Sequence, residues 1–334
     1  MKKRLEPETA YKFFCAANSR RGFVNFFEDA FSRRIHKKVY ILKGGPGTGK
    51  STLLKKLCAF AKERGLYNEA IYCSSDVDSL DGVIISDDIS SVCVFDGTAP
   101  HSSDTRAPGA IDVLVDLGRG WNERELEKRK NEILDICEKK NFAYAKAYAE
   151  LAQIRENGRK YAAENEFWGE LNPDALKSST FPWHSVRLIS AFSKNGYTRF
   201  DTLEKISRDV ELLEGDFFKV QSDLKKIRDD NLKKNKTVIS IPSPLDTDIL
   251  EGVYTPDSAT TFFAADLYGK DAFVNALAVS DQREEILKKA QESLKEASRL
   301  HFELEDIYTP LMDFSFLDFI YADLVVKIAY QLQI

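Results

Sequence analysis

The sequence predicts an α/β protein: a P-loop NTPase fold on a doubly wound parallel sheet, duplicated in tandem, with a degenerate second copy and helical extensions. Three observations predict it. A short apolar strand runs into a glycine-rich loop that ends in Lys-Ser, and a second apolar strand ends on an aspartate. Three short segments of the first half also recur, in order, in the second.

Val39-Tyr40-Ile41-Leu42 is apolar and partly β-branched, as a buried parallel strand requires. It leads into Lys43-Gly44-Gly45-Pro46-Gly47-Thr48-Gly49-Lys50-Ser51-Thr52, after which Leu53, Leu54, Leu57, Phe60 and Ala61 fall at helical spacing. In that setting Gly44 to Ser51 fills the Walker A pattern G-x-x-x-x-G-K-[ST]. Glycines let the backbone turn tightly enough for successive N–H groups to converge on phosphate oxygens, and the helix N-terminus adds its partial positive charge. Gly44, Gly45, Pro46, Gly47, Thr48 and Gly49 are therefore expected to cradle a nucleotide. Lys50 is expected to reach its β- and γ-phosphates, Ser51 to coordinate Mg²⁺, and Thr52 to lie near the α-phosphate. A glycine-rich turn that merely caps a helix is the alternative, and the full match in its proper context argues against it.

Val92-Cys93-Val94-Phe95-Asp96 has the form of a neighbouring strand that brings a second ligand to Mg²⁺. Lys50 and Asp96 are the expected catalytic pair, and Ser51 and Asp96 the expected metal ligands. An aspartate that only caps the following turn is the competing reading of Asp96. Cys73 to Gly82 reads as a loop after a strand at Ala70 to Tyr72, on the rim where such sheets bind ligands. Its Asp76, Asp78 and Asp81 would orient water or substrate, or serve as turn and cap residues, the reading slightly preferred. Thr98, His101, Asp104 and Arg106 form a second polar loop. His101 is a candidate proton shuttle there, with Arg106 or Arg119 to neutralise phosphate charge.

Self-comparison carries the duplication. Ser19 to Phe26 resembles Ser193 to Phe200, Leu54 to Leu57 parallels Leu224 to Ile227, and Asp78 to Val83 resembles Asp246 to Val253 with a short insertion. Extended without gaps, the match sets Gly45 against Gly215, Lys50 against Val220 and Ser51 against Gln221. The second copy thus lacks the groups that hold a nucleotide. Each copy is followed by helical sequence: Asn122 to about Glu166, read as two helices or one long bent one, with a hairpin near Lys140-Asn141 as one form, and Asp281 to Tyr308. The expected domains are residues 1–175 and 180–334, divided within Asn165 to Ser185. The apolar tail from Phe314 to Ile334 is expected to pack into the C-terminal core, a dimer surface being the second reading.

Composition narrows the function classes. The chain has 334 residues, 43% hydrophobic, 30% charged, with a net charge of −5. That balance argues against a nucleic-acid scaffold and fits a cytoplasmic protein. No apolar run is long enough to span a membrane, and the start from Met1 to Glu8 does not read as a secretory leader. The cysteines, Cys15, Cys58, Cys73, Cys93 and Cys137, are odd in number and never in a Cys-x-x-Cys pair, which predicts reduced thiols. His36, His101, His184 and His301 have no metal-ligand spacing.

The loop at Gly44–Thr52 resembles that of AAA-type ATPases. Phe14 to Phe27, Cys73 to Ile85 and Asp96-Gly97-Thr98-Ala99-Pro100-His101 together resemble a little-characterised bacterial family of ATPases with two tandem P-loop domains. The resemblance implies a cytosolic ATPase that prefers ATP to GTP. This chain departs from the family at Glu214 to Ser222, where the second P-loop is missing. Gly97 also stands where AAA-type ATPases often carry a glutamate that activates water. The leading expectation is Mg-dependent ATP hydrolysis that switches the arrangement of the two halves, with Arg199 or Arg208 as candidates to complete the site. A nucleotide or small-molecule kinase and a non-hydrolysing switch are the alternatives, with a protein partner or a homodimer left open.

Overall fold

The computed structural model describes residues 10–87, 89–154, 184–267 and 281–334. They form two compact units that are not consecutive in the chain. The first comprises Met1–Phe13, Phe31–Ala145 and Ser293–Ile334, and the second Phe14–Ala30 and Lys146–Glu292. The expected division into residues 1–175 and 180–334 is corrected accordingly: the first unit takes its last segment from the C-terminus, and the second takes an N-terminal one. Most of the expected boundary at 165–185 lies outside the described residues.

The strands are β1 (Tyr11–Phe14), β2 (Ala16–Ser19), β3 (Gly22–Asn25), β4 (Lys38–Lys43), β5 (Tyr67–Tyr72), β6 (Leu80–Ser86), β7 (Ser91–Asp96) and β8 (Asp112–Asp116), then β9 (His184–Val186), β10 (Ser190–Ser193), β11 (Gly196–Arg199), β12 (Asp209–Leu213), β13 (Val238–Pro242), β14 (Leu250–Thr255) and β15 (Thr260–Ala264). The helices are α1 (Phe27–Ala30), α2 (Lys50–Glu63), α3 (Glu123–Lys128), α4 (Lys130–Leu151), α5 (Thr202–Ile206), α6 (Phe217–Lys233), α7 (Asp281–Tyr308) and α8 (Phe314–Leu332).

A six-stranded sheet runs in the order β1-β5-β6-β7-β4-β8. Strands β7, β4 and β8 are parallel, whereas β5–β6 and β6–β7 are antiparallel. The doubly wound parallel sheet expected from the sequence is therefore a mixed sheet. Its cause is connection length: residues 73–79 and 87–90 are too few for the crossover that a parallel neighbour needs. A five-stranded sheet in the second unit runs β9-β13-β14-β15-β12, parallel at both margins and antiparallel between.

Helix α2 forms because Leu53, Leu54, Leu57, Phe60 and Ala61 make one apolar face, all of it buried. It stops at Gly65 (φ +65°), whose N–H and that of Leu66 bond back to Lys62 and Ala61. The same core takes Leu317, Leu324, Ile328 and Leu332 of α8. The apolar tail is thus part of the first unit's core and not of a C-terminal one. Helix α4 continues through Lys140 and Asn141, so the hairpin considered there does not form and the alternative of a long helix holds across that point. Buried Ala143 and Ala147 sustain its face there, and a single asparagine costs a helix well under ~1 kcal/mol. Leu126, Ile133, Ile136 and Ala143 cluster with Ala297, Leu300, Leu304 and Ile307 of α7. Residues 155–166 of the expected helical stretch lie outside the described residues. No helix among the described residues is long and apolar enough to cross a membrane.

Candidate phosphate-binding site

Strand β4 delivers the chain to Gly44, and α2 begins at Lys50. Between them Gly47 (φ +70°) and Gly49 (φ +79°) hold left-handed conformations that L side chains rarely adopt. Gly49 is the N-cap of α2 and supplies no side-chain cap, so the N-terminus of α2 gets no acceptor from its capping residue. Thr48 Oγ1 donates to the Gly45 carbonyl at 2.9 Å and Thr98 Oγ1 to that of Gly44 at 2.9 Å, fixing the loop from both ends.

Lys50 Nζ donates to the carbonyls of Gly44 (2.6 Å) and Gly45 (2.8 Å) and stands 3.6 Å from Asp96 Oδ2. Asp96 ends β7 beside β4, and its other oxygen accepts the Thr98 N–H at 2.8 Å. Ser51 Oγ accepts the Leu80 N–H at 3.0 Å, which ties the start of β6 to α2. The structure thus brings Gly44–Thr52 and Asp96 into one place.

The remaining polar candidates separate. Asp76 is a turn residue whose carboxylate accepts from the Asp78 N–H and Ser79 Oγ, and Asp78 is exposed. Asp81, by contrast, belongs to β6 and is buried, with His101 Nε2 at 3.7 Å from its Oδ2. Burial raises its pKa to about 6, against the opposing pull of His101, while the nearby Asp96 pushes it further up. Asp104 is 95% exposed and 3.4 Å from Lys43 Nζ, and Arg106 is exposed. Arg119 lies over the Phe316 ring, 6.0 Å from its centroid. In the second unit Arg199 is paired with Glu204 (2.5 Å) and Arg208 with Asp209 (2.7 Å).

Two neighbours were not singled out from the sequence as parts of the site. Trp121 packs so closely that a Cβ on Gly45 would lie 3.0 Å from its ring, and its indole meets Tyr308 at 5.1 Å between centroids. Glu305 of α7 is the second: its carboxyl is held below the usual range chiefly by His301 at 3.5 Å, with the Gly47 backbone and the Lys50 charge adding to the pull. No sequence signal near the loop announces either, because both contacts are long-range. Among the described residues no group of three or more His, Cys, Asp or Glu side chains is placed to hold a metal ion. Ser51 and Asp96 nevertheless fit Mg²⁺, which takes one or two protein ligands plus phosphate and water.

The connection from β12 to α6 in the second unit is built differently. The strand β12 is followed by only three residues before α6, and Asp216 caps that helix, accepting the N–H groups of Phe218 (3.1 Å) and Lys219 (3.0 Å). Gln221 bonds both backbone groups of Leu250, at 2.8 and 2.9 Å, where Ser51 accepts only the N–H of Leu80. No family model, curated protein or solved structure matches this chain.

Proposed function

We propose that the chain binds ATP with Mg²⁺ at Gly44–Thr52 and hydrolyses it, and that its second unit is a degenerate tandem copy of the first. The observation that carries the nucleotide site is the strand–loop–helix that sets Lys50 Nζ 3.6 Å from Asp96 at the head of a helix whose capping residue supplies no side-chain acceptor. Such a head favours anions, and α2 with two left-handed glycines can turn its N–H groups to a phosphate chain. Ser51 and Asp96 would hold Mg²⁺, which when bound offsets negative charge on the β- and γ-phosphates.

In this reading Lys50 stabilises charge on the transferred phosphoryl group. Asp81, buried beside His101 and near Lys50 and Asp96, is placed to accept a proton from the attacking water once ionised. It stands in for the glutamate absent after Asp96.

The duplication is supported by strand order and by local bonds repeated at a constant offset. The order β1-β5-β6-β7-β4 is matched by β9-β13-β14-β15-β12. Both sheets shift register at the same point, between Ile71 and Tyr72 and between Ile241 and Pro242. The turn bonds Cys73 N–H to Ser79 O and Ser79 N–H to Asp76 O recur as Ser243 to Ile249 and Ile249 to Asp246. Asp76 thus corresponds to Asp246, Asp78 to Asp248 and Asp81 to Glu251, without the insertion that the sequence comparison invoked.

The test is ADP release from ATP and Mg²⁺ by the full chain and by Lys50→Ala, with a panel of nucleosides and metabolites. Turnover that is lost in Lys50→Ala, indifferent to the panel and rising with pH through about 6 is the expected result. Turnover that requires one panel member makes the protein a kinase. Equal nucleotide binding by Lys50→Ala and the unaltered chain rejects the site.

A further inference from the structure

Helix α8 is apolar on two opposite sides. Leu317, Leu324, Ile328 and Leu332 form its inner stripe, buried in one cluster with α2 and the sheet of the first unit. Two residues on from each stand Phe319, Val326, Tyr330 and Ile334, which are 66%, 68%, 79% and 46% exposed. Two residues turn a helix by about 200°. Phe319, Val326 and Tyr330 therefore line the side of α8 that faces away from the core, and Ile334 follows just beyond the helix end. The outer side of a surface helix is ordinarily polar, and a continuous apolar stripe there marks an interaction surface.

The charges beside that stripe match its own reversal. Asp323 and Lys327 flank Val326 and pair with each other at 2.6 Å. The pairs Asp323/Lys327 and Phe319/Tyr330 are both centred at about position 325, and Val326 stands beside that centre. A second α8 laid antiparallel across a two-fold axis there sets Asp323 against the partner's Lys327 and Phe319 against the partner's Tyr330. Val326 then meets its own counterpart, and exposed Ala322 is small enough to let the helices approach. An isologous contact needs this kind of self-complementarity. A lipid surface fits less well, because helices that lie on membranes carry a rim of Lys and Arg. The charges of α8 are Asp318, Asp323 and a single Lys327, with Asp318 held by Lys56 at 2.7 Å.

We propose that the outer face of α8 is a homodimer interface, in which two copies of the chain pair this helix antiparallel about Val326. The area sets the strength of the contact. With 150–250 Å² to an aromatic side chain, the exposed stripe comes to roughly 500 Å² on each copy. Two copies then bury about 1,000 Å², the lower limit for a specific interface. The dimer is accordingly one that exchanges with monomer, with a dissociation constant on the order of micromolar. It stands independently of any nucleotide at Gly44–Thr52.

The test is analytical ultracentrifugation of the full chain over a concentration series that brackets about 1–200 μM. The expected result is a monomer–dimer equilibrium. Val326→Glu sets two carboxylates against each other near the axis and is expected to weaken dimerisation at least about tenfold. Asp323→Lys and Lys327→Asp each oppose like charges across the axis and weaken it about threefold or more, whereas the double exchange restores it to within about threefold. Thermal unfolding checks that each variant is folded; if Val326→Glu is not, the charge exchange decides alone. A chain that stays monomeric throughout overturns the proposal, and so does a dimer that Val326→Glu leaves intact. A double exchange no better than its two single variants overturns the antiparallel pairing on which the proposal stands. Flotation with vesicles of three parts phosphatidylcholine to one part phosphatidylserine (about 25% anionic lipid) covers the remaining occupant. A monomer that floats with them assigns the face to lipid and overturns the dimer.

Discussion

Glu251 shows how a single carboxyl responds to enclosure. It sits in β14, buried, with Ser190 Oγ donating at 3.0 and 2.8 Å and Tyr197 Oη at 3.5 Å. Burial drives its pKa to about 8, against Ser190 and Arg199, which favour the charged form. Below about pH 4.5 the group is neutral in both folded and unfolded chains. Between there and about 8 the unfolded chain ionises while the folded one resists, so this residue's contribution to stability falls as pH rises, to a full cost above the folded pKa. That cost is at most on the order of 5 kcal/mol. Glu251→Gln should match the unaltered chain within ~1 kcal/mol near pH 4 and be the more stable of the two by roughly 2–4 kcal/mol at pH 9. Urea unfolding at the two pH values measures it, and an equal difference at both would show that charge is not what the site resists. Asp81 carries the same sign of effect over a narrower range, up to about 6.

Helices α2 and α6 divide the two units chemically at their first turns. Gly49 gives α2 no side-chain acceptor, whereas Asp216 satisfies two donors of α6. Asp216→Ala should cost about 1 kcal/mol of stability, the usual value of an N-cap. It should leave binding of Mg-ATP unchanged, and calorimetric titration showing nucleotide affinity altered in step would contradict a second unit without a site. The first half of this contrast was legible in the sequence: Gly44–Thr52 lay on a recognisable strand–loop–helix, and Asp96 closed an apolar run. Strand β6 was not, because Leu80-Asp81-Gly82 reads as turn chemistry until Phe31 and Phe95 pack over Gly82, where a Cβ would come within 2.4 Å of the Phe31 ring. Glu305 was invisible for a related reason. It belongs to a strongly charged helix in which some charges pair within the helix itself, Arg299 with Glu296 and Glu303 and His301 with Glu305, and nothing local distinguishes it.

At the scale of the whole chain, the order of residues and the order of folding units disagree, and this governs how the molecule can be cut. Leu317, Leu324, Ile328 and Leu332 of α8 are buried in one cluster with Leu53, Leu54, Leu57 and residues of the strands around the Gly44–Gly49 loop. Enclosing four such side chains contributes roughly 1.5–3 kcal/mol each, which together rivals the whole stability of an ordinary domain, about 5–15 kcal/mol. A fragment of residues 1–175 keeps the loop and loses that cover, exposing the apolar face of α2. It should therefore elute as an expanded or aggregated species and show no cooperative unfolding, even though it contains every residue of the candidate nucleotide site. Supplying residues 293–334 as a separate polypeptide should restore a cooperative transition, since those residues complete the first unit. Thermal unfolding followed by circular dichroism distinguishes the cases. A residues 1–175 fragment that melts as sharply and as late as the intact chain would mean that α8 packs on a core already sufficient without it.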